Sequence, residues 1–253
     1  MQFHVQNLLG KYYILTTRWT KGFIGKPWFL IAVITCLIFA STTPLLAVEH
    51  NIKEYGIVIL PEEKCTKVAE KLNQDITKIL SHFKNAKNHW HVTLYHGAYD
   101  TKYIKEIYNK IKAIELKPFT LNFSKISSTS DRWIDLGTEK TEYLQELHKA
   151  IVQLASPYHK RPLDRSKDVY KDMTSVQQKQ VDNYGVSGLL ELYNPHMTLF
   201  YQYPPSSELQ QAAKEIAVNF KENMVCKASK IVLGELGYNG NIQKIIYSID
   251  IPN

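Results

Sequence analysis

Five residues of this chain occur twice in close copy. His91-Val92-Thr93-Leu94-Tyr95 returns as His196-Met197-Thr198-Leu199-Phe200. From the chain's own content of His, Thr and Leu, the pattern His-x-Thr-Leu is expected by chance roughly 0.06 times, so the repetition carries information. The residue types suit proton transfer at an anionic oxygen compound. Imidazole, with an ordinary pKa of ~6.5, gives or takes a proton near neutrality, and a threonine hydroxyl donates a hydrogen bond to a charged oxygen. Val, Thr, Leu and the aromatics are strand formers, and alternate side chains of a strand share a face. Strict alternation therefore places His91, Thr93 and Tyr95 on one face, with Val92 and Leu94 behind. It groups His196, Thr198 and Phe200 in the same way. Each copy is half of a site, and two halves facing each other supply an acid and a base.

The pair resembles the signature of the 2H phosphoesterases, the LigT-like family, in which two His-x-Thr/Ser motifs lie in two symmetry-related halves. The resemblance covers roughly residues 52–252. It implies a metal-independent phosphodiesterase, a hydrolase acting on 2′,3′-cyclic or 2′,5′-linked nucleotides or RNA ends. His91 and His196 would be catalytic, the first as proton donor and the second as acceptor, and no cofactor would be needed. Thr93 and Thr198 would hold the non-bridging phosphate oxygens. Tyr95 and Phe200, on the expected cleft face, are candidates to stack on a base, and Tyr55 is a further candidate at the cleft. The pH–rate profile would be bell-shaped with both limbs near neutrality. The chain departs from the family after the first motif: His96-Gly97 stands where many members continue with an apolar residue and Leu-Gly.

Two other readings use the same residues. His89 shares a strand face with His91, which suggests a metal pair awaiting a third ligand. No carboxylate follows at ligand spacing, however, and Asn194 stands at the matching place in the second copy. The other alternative is a non-catalytic nucleotide- or RNA-binding module on the same fold. An intact His and Thr in both copies favour the enzyme.

The elements that must position these residues follow from periodicity. A short apolar strand, 55–60, ends at Pro61, and Cys65, Val68, Ala69, Leu72 and Ile76 then recur at helical spacing. After the first motif, Asp100 suits a helix N-terminus, and Ile104, Ile107 and Ile111 form a stripe. Residues 119–124 alternate as a strand, 132–136 return, and a helix is expected over 141–155. The second motif strand is expected over 189–203. A helix follows to Phe220, then strands at 231–233 and 244–251 joined through Asn239-Gly240. Interleaved helices and hairpins predict an α+β fold: two lobes, mostly antiparallel sheets with outer helices, and a central cleft. Between the halves, 156–188 reads as an irregular segment. Its basic stretch 158–167 is a candidate for phosphate contacts with a nucleotide or short RNA.

The first 47 residues carry Lys11, Arg18, Lys21 and Lys26 but no acidic residue, then an apolar run from Trp28 to Ala40. This reads as a signal peptide cut after Ala47, leaving a 48–253 domain that is exported, periplasmic or secreted, and monomeric. The alternative is a membrane anchor over 28–47. The leader holds much of the formal charge of +7 and leaves +3, too little to argue for nucleic acid on charge alone. Cys65 and Cys226 could pair in an oxidising compartment; spacing does not bring them together, and two buried free thiols are the expectation.

Overall fold

The computed structural model describes residues 51–81, 89–220 and 223–252; the expected leader lies outside the described residues. β1 (Ile52–Pro61) is buried without alternation from Tyr55 to Ile59, as a strand is when both its faces are covered. α1 (Glu63–Ile79) turns Cys65, Ala69, Asn73 and Ile76 inward. β2 (Val92–Asp100) lies antiparallel to β1 and begins immediately after His91. Asp100 then accepts a hydrogen bond from the Lys102 amide and starts the turn leading into α2 (Ile104–Lys112), in the role its sequence position suggested.

β3 (Thr120–Thr129) and β4 (Trp133–Thr138) form a hairpin, and α3 (Glu142–Ala155) is capped by the Thr141 hydroxyl. The segment 156–188 is not irregular. It holds a short edge strand, β5 (His159–Arg161), paired with β2, and two helices, α4 (Asp164–Val169) and α5 (Ser175–Tyr184). Its basic residues are largely spent on local carboxylates. Arg161 meets Glu54 at 3.3 Å and Asp164 at 2.8 Å, and Lys167 meets Asp164 at 2.9 Å. Arg165 alone of the stretch's lysines and arginines lines the cleft described below.

The second half closes with β6 (His196–Tyr201), α6 (Glu208–Asn219), β7 (Met224–Leu236) and β8 (Ile242–Asp250). The second motif strand is shorter than expected because Leu190–Leu192 forms a helical turn ahead of Pro195. Gly240, at φ 81°, takes the left-handed position of the β7–β8 turn that Asn239-Gly240 announced.

The sheet runs β5-β2-β1-β7-β3-β4-β6, with β8 also on β7, and every pairing is antiparallel. The α+β architecture read from sequence is the one observed. The halves share β7, whose first four residues pair with β3 and whose remainder pairs with β1 and β8. Sequence reading found only the end of β7, because its start alternates small Cys226 and Ala228 with Lys227 and Ser229. One main core draws Tyr95, Tyr99, Phe123 and Phe200 from both halves.

Cys65 on α1 and Cys226 on β7 form a disulfide, with Cα atoms 6.1 Å apart. This corrects the expectation of free thiols. Spacing could not show it, because the long β7 carries Cys226 back beneath α1. Among the described residues no helix is long and apolar enough to cross a membrane.

Candidate active site

Both motif strands depart from simple alternation at the same place. Opposite β1, Tyr95 pairs with Ile57 and Thr93 with Val58, leaving Leu94 as the extra residue. Opposite β4, Phe200 pairs with Ile134 and Thr198 with Asp135, leaving Leu199 extra. Each is a β-bulge, and a bulge re-aims the side chains that follow it. Each bulge residue's carbonyl is taken by a buried polar side chain. His148 Nδ1 of α3 donates to the Leu94 carbonyl at 2.7 Å, and Asn73 Nδ2 of α1 to the Leu199 carbonyl at 2.6 Å. Unpaired buried carbonyls are costly, so these two side chains hold the bulges in place. The second nitrogen of His148 accepts from the Leu190 amide at 2.8 Å. Burial holds this imidazole's pKa down to about 4, so it stays neutral and serves both bonds.

The bulges decide which residues reach the cleft. It is a cavity of about 440 Å³ lined by His91, Thr93, His196 and Thr198, within the usual range for a small-molecule site. His96 and Tyr201, five residues after each motif histidine, line it as well. Tyr95 and Phe200 do not: they are 0% and 1% exposed and belong to the core. Tyr95 is spent on the Tyr184 carbonyl, to which its hydroxyl donates at 2.6 Å. Tyr55 is likewise buried, beside Tyr99 with ring centroids 6.3 Å apart. The stacking expected of Tyr95 and Phe200, and the place at the cleft expected of Tyr55, are thus corrected, since strict alternation failed at the bulge. The aromatic wall consists of Trp133, Tyr193 and Tyr201, with Trp133 and Tyr201 5.4 Å apart.

The motif histidines are held alike. His91 Nδ1 donates to the His89 carbonyl at 2.5 Å, and His196 Nδ1 to the Asn194 carbonyl at 2.7 Å. In each ring the Nδ1 proton is engaged by the chain two residues back, which leaves Nε2 for chemistry. Their surroundings differ. His91 has its pKa pushed down to about 4, chiefly by burial, with His196, His89 and Arg165 adding like charge and the His89 carbonyl opposing. His196 Nε2 lies 3.7 Å from Asp135 Oδ1, and Asp135 also accepts from the Thr198 hydroxyl at 3.0 Å. Burial raises the Asp135 carboxyl above the usual carboxylate range, against the pull of His196 and Thr198.

Sequence reading missed Asp135, Trp133 and Tyr201, held Arg165 only as one of the basic stretch 158–167, and treated His96 only as a departure. One signal was available: Asp135 is a lone acid between apolar Ile134 and Leu136 in a strand, where a carboxylate is unexpected without a partner. Among the described residues no group of three or more His, Cys, Asp or Glu is arranged to hold a metal ion.

No family model matches the chain, and no curated protein matches it in sequence. Solved structures do match in shape. TT0787 of Thermus thermophilus superposes with a TM-score of 0.52 at 12% identity, over 78% of this chain and 97% of that one. Escherichia coli LigT complexed with 3′-AMP has a TM-score of 0.46 at 15% identity, over 80% and 99%. Kluyveromyces marxianus Usb1 has 0.44 at 14%, over 81% and 99%. In its fold, the chain is similar to the LigT-like 2H phosphoesterases.

Proposed function

We propose that this chain is a metal-independent phosphodiesterase that opens 2′,3′-cyclic phosphates, or cuts 2′,5′ links, at nucleotide or RNA ends. The observation that carries the reading is two imidazoles in one cleft, each with Nδ1 tied to the backbone and Nε2 left over. Their unequal surroundings support a direction. His91, kept neutral by burial, suits the base that takes a proton from water. His196, whose Nε2 lies 3.7 Å from Asp135 Oδ1, is left the role of acid. This is the reverse of the direction the family resemblance implies.

In the reaction, water oxygen bonds to phosphorus as His91 Nε2 takes its proton. The bond from phosphorus to the 2′ or 3′ oxygen breaks, and that oxygen receives the proton of His196. The product is a phosphomonoester beside a free hydroxyl. A positioned acid or base typically contributes ~10²–10⁴-fold. Trp133 and Tyr201 replace Tyr95 and Phe200 as the surfaces for a base, where stacking is worth ~1–3 kcal/mol. The enzyme would act as a monomer. The Cys65–Cys226 bond supports the further proposal of export to an oxidising compartment, which N-terminal sequencing of secreted protein beginning near Val48 checks.

The test is product analysis of the full-length protein, in chelator, on a panel of 2′,3′-cyclic and 2′,5′-linked nucleotides. Turnover to a single phosphomonoester is expected. Tight nucleotide binding without turnover would replace the enzyme with the binding module, and activity that vanishes in chelator would replace it with a metal centre.

A further inference from the structure

The two halves of the cleft carry opposite charge, and this rests on the reading that the cleft takes a phosphodiester. On the second half, Asp135 Oδ1 accepts the Thr198 hydroxyl and lies beside His196. On the first half, the position facing Thr93 across the ladder is apolar Val58. The polar neighbours there are His96 and Arg165 instead. Arg165 Nη2 is hydrogen-bonded to His96 Nδ1. Guanidinium only donates, so His96 Nδ1 must accept, and the neutral ring must carry its proton on Nε2. That nitrogen lies 3.4 Å from the Thr93 hydroxyl oxygen. Thr93 therefore accepts from His96, and its own proton is left to point elsewhere. Burial and the charge of Arg165 keep His96 neutral, well below its ordinary pKa.

Arg165 also has a donor to spare. Its Nη1 is buried and makes no hydrogen bond, and its side chain is 16% exposed. The nearest counter-charge is Glu54 Oε2 at 3.7 Å. Glu54 Oε1 is already taken by Arg161 at 3.3 Å and by the Asp164 amide at 2.7 Å. Arg165 lines the cavity, and a buried cation with an unused donor calls for an anion. Two glycines make the room. A Cβ on Gly56 would lie 3.0 Å from His96 Cδ2 and 3.1 Å from its Nε2, and one on Gly240 would lie 3.4 Å from Arg165 Cζ.

The geometry points to a one-sided phosphate anchor: Arg165 and the Thr93 hydroxyl, aligned by His96, take the non-bridging oxygens, while Thr198 stays turned to Asp135. Arg165 and Thr93 touch the anion, and His96 is a positioning residue. The substrate's charge is thus seated on the half that carries the base, and its leaving oxygen faces the half that carries Asp135 and His196. Arg165 comes from the segment between the halves, so this subsite is only partly built from the repeated motif.

The test is a titration of the full-length protein with inorganic phosphate, followed by calorimetry. Arg165→Gln and Thr93→Ala are each expected to weaken binding about tenfold or more, as the loss of a charge-assisted hydrogen bond does. Arg165→Lys should recover part of the loss, and Thr198→Ala should change it by less than about threefold. Wild-type protein that fails to bind phosphate at millimolar concentration overturns the anchor. So does Arg165→Gln binding that equals wild type, or a Thr198→Ala loss matching that of Thr93→Ala. Nitrogen NMR of wild-type His96 provides an arm that needs no variant: Nε2 should carry the proton and Nδ1 none, and the opposite tautomer refutes the relay. Phosphate binding is read without turnover. A wild type that binds as described but turns over no diester would therefore sink the enzymatic reading and leave the anchor standing.

Discussion

Replacing His91 or His196 with alanine is expected to lower kcat on a 2′,3′-cyclic nucleotide by two orders of magnitude or more, with little loss of stability. Each imidazole handles a different proton, and neither can replace the other. The double variant should be little worse than either single one, because groups acting as a unit are not additive. Folding should tolerate the changes: each ring's hydrogen bond is to a nearby carbonyl two residues back, and the core lies behind the strands. Thr93→Ala should cost less, about 1.5–3 kcal/mol, the worth of one hydrogen bond to a charged oxygen. Steady-state kinetics alongside thermal melts check these outcomes. A His91→Ala enzyme of wild-type rate would remove the base from the account.

Breaking the Cys65–Cys226 bond is expected to give the largest stability change. The two cysteines are separated by 161 positions, and in the chain-entropy model a cross-link of that span is worth roughly 5 kcal/mol. Both cysteines are buried, at 1% and 0% exposure. They tie α1, which packs on β6 beneath the second motif, to the strand shared by both halves. The double variant Cys65→Ala/Cys226→Ala should therefore unfold at a much lower denaturant concentration than the oxidised protein. Reduced wild type should move the same way. Equal midpoints for oxidised and reduced protein would mean that the bond contributes nothing to folding.

Much of this was legible in the sequence because two periodicities are strong there. The stripe of Ile104, Ile107 and Ile111 marked a helix, and the repeated His-x-Thr-Leu marked the two strands that line the cleft. The limits were local backbone events. A period of two carries no sign of an extra residue, so the bulges at Leu94 and Leu199 turned Tyr95 and Phe200 into the core and brought His96 and Tyr201 to the cleft. The acid partner was hidden for another reason. Asp135 meets His196 only through the pairing of β4 with β6, a register that neither strand specifies alone. Arg165 stood among Lys160, Arg161 and Lys167, of which Arg161 and Lys167 are bound to nearby carboxylates, so the charge of that stretch did not single it out.

The most direct test of two histidines working on one phosphate is the pH dependence of kcat/KM, recorded in chelator with circular dichroism at each pH. This quantity reports the free enzyme's essential groups. Burial lowers the His91 pKa from its ordinary 6.5 to about 4, so the base stays unprotonated as pH falls below neutrality. The acid limb should lie toward 4, not near neutrality as sequence reasoning suggested, while the fold remains intact. It should disappear in His91→Ala. An acid limb near neutrality that survives His91→Ala, or activity abolished by the chelator, would contradict the account.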